Sequence, residues 1–60
     1  MIESSPTPEK IREVRQHADL TQEKAAQMVG RKMRTWRYWE AGTIAMPPEI
    51  WELFRMKTRS

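Results

Sequence analysis

The chain contains no cysteine, a single histidine, two glycines and no apolar run longer than a few residues. Without thiols it has neither a disulfide staple nor a thiolate metal site. Nothing in it calls for an oxidising compartment, so a cytoplasmic location is expected. His17 has no cysteine or second histidine with which to complete a metal set, and it reads as a surface residue at a helix end. The apolar runs fall far short of the roughly 20 residues that span a bilayer. The opening MIESSPTPEK also lacks the basic-then-apolar order of a secretory signal, so no membrane association is expected. There is no glycine-rich phosphate loop and no carboxylate pair with an obvious shared cleft. An enzyme is therefore not expected, nor a cofactor, a bound metal or a small-molecule substrate.

What is present is charge, and it is unevenly placed. Sixty residues carry a net +3 and a pI near 9.8. Between Thr21 and Trp39 five cations, Lys24, Arg31, Lys32, Arg34 and Arg37, face the single acid Glu23, a net of +4, while the remainder of the chain nets −1. Positive charge concentrated on one segment is the electrostatic footprint of a phosphate-binding surface. A chain this short forms one domain with a small core and marginal stability, which dimerisation would supplement.

The periodicity predicts four helices. Residues 1–6 mix Ser, Pro and one acid without period and read as a flexible N-terminal arm; residues 7–60 read as a single domain. Thr7-Pro8-Glu9 is a helix start, with a capping hydroxyl, a proline at the first helical position and an acid near the positive end of the dipole. Ile11, Val14 and Ala18 give that helix an inward face, and Asp19-Leu20 closes it. Thr21 caps a second helix whose inner face is Ala25, Ala26 and Val29. Gly30 supplies the left-handed backbone that ends it. Met33 to Glu40 forms the third helix, stopped by Gly42. Met46-Pro47-Pro48-Glu49 opens a fourth, running to about Lys57, with Ile50, Leu53 and Phe54 inward to close the core against the first and third helices. Trp51 lies on the flank of this stripe; of the three indoles it is the candidate for partial exposure at an interface, the alternative being ordinary packing.

The segment from Thr21 to Gly42, TQEKAAQMVGRKMRTWRYWEAG, organises the rest. Two short helical patterns joined through Gly30-Arg31-Lys32 have the layout of a helix-turn-helix. At about 100° per residue, Trp36, Trp39 and Glu40 fall on one side of the third helix and Arg34, Arg37 and Tyr38 on the other. An aromatic stripe anchors the helix to a core while guanidinium and phenol donors face outward. Arg donates two hydrogen bonds to guanine O6 and N7 in the major groove, which makes Arg34 and Arg37 candidate base readers. The alternative is a solvated helix face. Met33 either packs on a thymine methyl group or fills a gap, and Lys24 and Arg31 are candidate phosphate contacts. The indoles could instead stack on single-stranded bases, but their place opposite the arginines puts Trp36 and Trp39 in the core.

These residues resemble the Cro/repressor-type helix-turn-helix family, the lambda-repressor-like DNA-binding domains of phages and bacteria. The resemblance covers about Ile11 to Met56 and is carried by Leu20-Thr21-Gln22-Glu23, Ala26, Gly30, Arg34-Thr35 and Trp39-Glu40-Ala41-Gly42, in the family's order and spacing. The ending, Met46-Pro47-Pro48 with Trp51-Glu52-Leu53, is similar to that of small phage regulators, including anti-CRISPR-associated repressors. The resemblance implies an all-α, compact four-helix fold and a sequence-specific double-stranded DNA-binding regulator. Such a regulator would be a repressor that binds an inverted repeat as a homodimer. It implies base contacts from Lys32, Met33, Arg34, Arg37 and Tyr38 and phosphate contacts from the start of the second helix, from Thr21 and from the side-chain amide and backbone N–H of Gln22. It also implies a structural ion pair between Arg15 and Glu40. Family members usually carry a small apolar residue at position 31, a Ser or Thr cap at 32, a leucine at 25 and a β-branched residue at 36. Here Arg31 and Lys32 add cations to the turn, and the indole of Trp36 can fill the space that Ala25 leaves. The dimer interface of longer members, built on a fifth helix, does not carry over. Antitoxins often use the same fold, so a second reading is a protein-interaction module that binds a partner through Trp51, Phe54, Ile44 and Met46 on a fourth-helix surface.

Overall fold

In a computed structural model, which describes residues 5–59, the chain forms four helices: α1 (Pro8–His17), α2 (Gln22–Met28), α3 (Met33–Ala41) and α4 (Pro48–Thr58). No strand occurs among the described residues, so the fold is all-α. Most of the N-terminal arm expected over residues 1–6 lies outside the described residues. None of the four helices is long and apolar enough to cross a membrane.

The helix boundaries follow from local chemistry. The Thr7 hydroxyl oxygen accepts the Lys10 N–H at 3.1 Å, and that of Thr21 accepts the Lys24 N–H at 3.1 Å, each satisfying one donor that the helix leaves open. Pro8 and Pro48 enter α1 and α4 at the first helical position, where their missing N–H costs nothing. Three helices then stop in the same way. Gly30 at φ 70° and Gly42 at φ 81° turn the chain left-handed after α2 and α3, and Asp19 at φ 61° does so after α1. In each case the two N–H groups around the turn fold back onto carbonyls of the last helical turn. Leu20 bonds Arg15 at 3.2 Å, Arg31 bonds Ala26 at 2.9 Å and Thr43 bonds Tyr38 at 3.0 Å, the 6→1 bond of a Schellman stop. Asp at the first of these turns was not anticipated as a left-handed position; a short polar side chain tolerates it where most residues do not.

A Cβ added at Gly42 would lie 3.4 Å from Pro8 Cγ as well as forcing a side chain onto the left-handed backbone. Gly42→Ala is therefore expected to cost about 1–2 kcal/mol, read as a lowered urea midpoint with unchanged slope. An unchanged midpoint would mean that the turn relaxes without penalty.

The core comprises Ile11 of α1, Ala25, Ala26 and Val29 at α2, Trp36 and Trp39 of α3, Met46 of the α3–α4 loop, and Ile50, Trp51 and Phe54 of α4. Its centre is aromatic. Trp36 meets Trp39 edge-on with ring centroids 5.6 Å apart and Phe54 at 4.8 Å, arrangements that suit the ring quadrupoles. The α4 backbone comes close to α2, and α4 reaches α3 through the Phe54–Trp36 contact. Lys57 of α4 donates to the Met28 carbonyl at 2.9 Å, covering the open end of α2.

Two open readings of α4 are decided by burial. Trp51 is not partly exposed but only 6% accessible, stacked on Phe54 and covered by the Arg55 guanidinium 5.8 Å from its ring. The partner-binding surface imagined on α4 is not a surface either. Trp51, Phe54 and Met46 are all interior, and of its four residues only Ile44 is exposed.

Candidate nucleic-acid interface

The two faces of α3 separate as its spacing requires. Trp36, Trp39 and Glu40 are buried, whereas Lys32, Met33, Arg34, Arg37 and Tyr38 are exposed. Met33, Arg34, Arg37 and Tyr38 line one shallow hollow on the outside of the helix. Lys32 occupies the N-cap position without offering a side-chain acceptor, and the first turn of α3 carries no acid. The N–H groups at that end are consequently left open, with Arg31, Lys32 and Arg34 around them. That arrangement favours an anion through both dipole and charge.

Lys24, Arg31, Lys32, Arg34 and Arg37, the five cations of the basic segment, are all exposed. None makes an ion pair among the described residues; Arg31 has only a long contact to the neighbouring Gly30 carbonyl. Their charge is thus not spent internally. Thr21 is exposed, and although its oxygen caps α2, its O–H remains a donor. Gln22 differs from the rest of the candidate set. Its side chain is half-buried and the amide nitrogen donates to Glu40 Oε1 at 3.1 Å. The group at this position most open to a phosphate is its backbone N–H, which at the start of a helix has no intrahelical partner.

Glu40 holds these parts in register. Arg15 of α1 grips it with two donors, Nε to Oε2 at 2.5 Å and Nη2 to Oε1 at 3.1 Å; this is the ion pair that the family resemblance implied. The Trp36 indole N–H donates to Oε2 at 2.6 Å, and Gln22 completes the set. Arg12 adds a longer contact to the Glu40 backbone carbonyl at 3.4 Å. One carboxylate therefore ties α1, the start of α2 and the buried face of α3 together. Burial alone would raise the Glu40 pKa. The hydrogen bonds from Arg15, Trp36 and Gln22 and the Arg15 charge outweigh it, leaving the carboxyl below its ordinary 4.5.

The indole and amide donors to Glu40 were missed in the sequence. The first was findable, because positions 36 and 40 are one turn apart on the same face. The second joins residues 18 apart in the chain and has no local signature.

A family model described as Aca2/YdiL-like matches residues 8–60, which spans all four helices and the hollow on α3. No curated protein gives a match. The chain belongs to the Aca2/YdiL-like family, a family of small, helix-turn-helix-like regulators of phage type.

Proposed function

We propose that this protein is a sequence-specific, double-stranded DNA-binding transcriptional regulator of the Cro/repressor kind, acting as a repressor. It binds an inverted-repeat operator as a homodimer, with α3 in the major groove. The observation that carries the reading is the division of α3, whose indoles are buried while Arg34, Arg37, Met33 and Tyr38 share an outward hollow. A major groove about 12 Å wide admits a helix with such a face, and a guanidinium pairs there with guanine O6 and N7. Family membership supports a regulator. The exposed cations around Gly30 and at the start of α2 supply the phosphate grip that fixes docking. In this reading Lys24, Arg31, Thr21 and the Gln22 backbone N–H contact phosphates, and Lys32, Met33, Arg34, Arg37 and Tyr38 meet base edges. Two recognition helices sit about 34 Å apart, one turn of the duplex. The protein works without cofactor or catalysis, in the cytoplasm.

Selection of bound duplexes from a random pool tests this directly. The expected outcome is one enriched palindrome whose affinity falls steeply with salt, because several cations displace counterions. Enrichment of no sequence, or binding indifferent to salt, would contradict it. On the enriched duplex, Arg34→Ala is expected to retain the fold and to lose about 1–3 kcal/mol of discrimination at one base pair. An equal loss on every duplex would make Arg34 a phosphate contact instead.

A further inference from the structure

The hollow on α3 holds more than a basic reading face requires. Guanidinium groups suffice for guanine and phosphate, yet Met33 and Tyr38 stand 43% and 41% exposed beside Arg34 and Arg37. Neither takes part in the hydrophobic core. Their register is specific. Met33 lies four residues before Arg37 and Arg34 four before Tyr38, and residues four apart are neighbours on a helix surface. Each arginine thus has one largely apolar residue a helical turn away along the same hollow, whose lining includes no carboxylate.

In the major groove two features sit close together at a pyrimidine–guanine step. One is the O6/N7 acceptor pair of guanine; the other is the C5 position of the neighbouring pyrimidine, which carries a methyl group in thymine but none in cytosine. A paired cationic and apolar side chain matches that combination, the guanidinium taking the acceptors and the thioether or phenol ring covering the methyl. Resting on the DNA-binding reading above, we propose that Met33–Arg37 and Arg34–Tyr38 are two such readers. Operator affinity then depends on a pyrimidine C5 methyl beside a guanine and responds to thymine and 5-methylcytosine alike.

The test uses the duplex enriched from a random pool, with each thymine in turn replaced by uracil, which removes the methyl and leaves pairing unchanged. Affinity is read by fluorescence anisotropy at fixed salt. Uracil is expected to weaken binding about three- to fivefold at the methyl-reading positions. Met33→Ala is expected to abolish the thymine–uracil difference at one of them and Tyr38→Ala at the other. Both side chains are exposed, and circular dichroism melting checks that the variants stay folded. A cytosine placed at the same position should bind better once methylated at C5. Equal binding of thymine and uracil everywhere, with the duplex still bound, overturns the methyl readers while leaving the DNA-binding reading in place. A difference that survives both alanine variants also overturns them. If no duplex is enriched at all, both readings fail together.

Discussion

Trp36→Ala is expected to destabilise the fold by about 3–5 kcal/mol, enough to unfold much of a domain whose total stability sits near the low end of about 5–15 kcal/mol. Trp36 is fully buried and does three things at once. Its ring packs edge-on against Trp39 and against Phe54 of α4, and its N–H bonds Glu40. Alanine leaves a cavity where α3 meets α4 and removes a donor from the buried carboxylate. Urea unfolding followed by circular dichroism reads the loss. Trp36→Phe should fall between wild type and alanine, since it keeps most ring contacts and forfeits only the hydrogen bond and part of the volume. A wild-type midpoint for Trp36→Ala would show that this indole does not join the two helices.

Glu40→Ala is expected to be comparably severe, at about 3–5 kcal/mol, because breaking a buried pair leaves the partner charge uncompensated. The Arg15 side chain is only 14% exposed and that of Glu40 only 4%, so water cannot readily replace what is lost. The buried Trp36 N–H and the Gln22 amide lose their acceptor in the same step. The exposed pair Lys10–Glu13, by contrast, with side chains 53% and 58% accessible, is expected to contribute only about 0–1 kcal/mol.

The pH dependence has a definite sign. The Glu40 carboxyl is held below its ordinary 4.5 in the folded protein. The stability it supplies is therefore present above that value and is lost as the pH falls through the lower folded one. The gap between wild type and Glu40→Ala should be widest near neutrality and shrink below pH 4.5. A gap independent of pH would mean that the charge of Glu40 contributes nothing and that its value is geometric.

Much of this was legible because the chain marks its own boundaries. Thr7 and Thr21 sit where a capping hydroxyl is needed, and Gly30 and Gly42 where the backbone turns left-handed. Trp36 and Trp39, three apart, could share a core face only by leaving Arg34 and Arg37 outside. The sequence leaves the place of Trp51 open between packing and exposure for a physical reason. A narrow stripe of Ile50, Leu53 and Phe54 suffices for a helix lying on a bulky neighbour. In the fold the buried arc of α4 is wider, taking in Trp51 beside Ile50 and Phe54. Met46, placed on a surface only in the partner-binding reading, is 1% exposed and plugs the core just before the proline entry to α4. The convergence of Gln22 and Trp36 on Glu40 depends on how three helices meet, and no window of local sequence encodes that.

At 7.2 kDa the protein suits a direct measurement of which side chains meet the duplex. Isotope-filtered nuclear Overhauser contacts, recorded with the enriched operator, should connect base-edge protons to Met33, Arg34, Arg37 and Tyr38. The indole signals of Trp36 and Trp39 should show none. Contacts from either of those indoles to the bases, or DNA contacts confined to α1 or α4 with the outer face of α3 silent, would contradict the account.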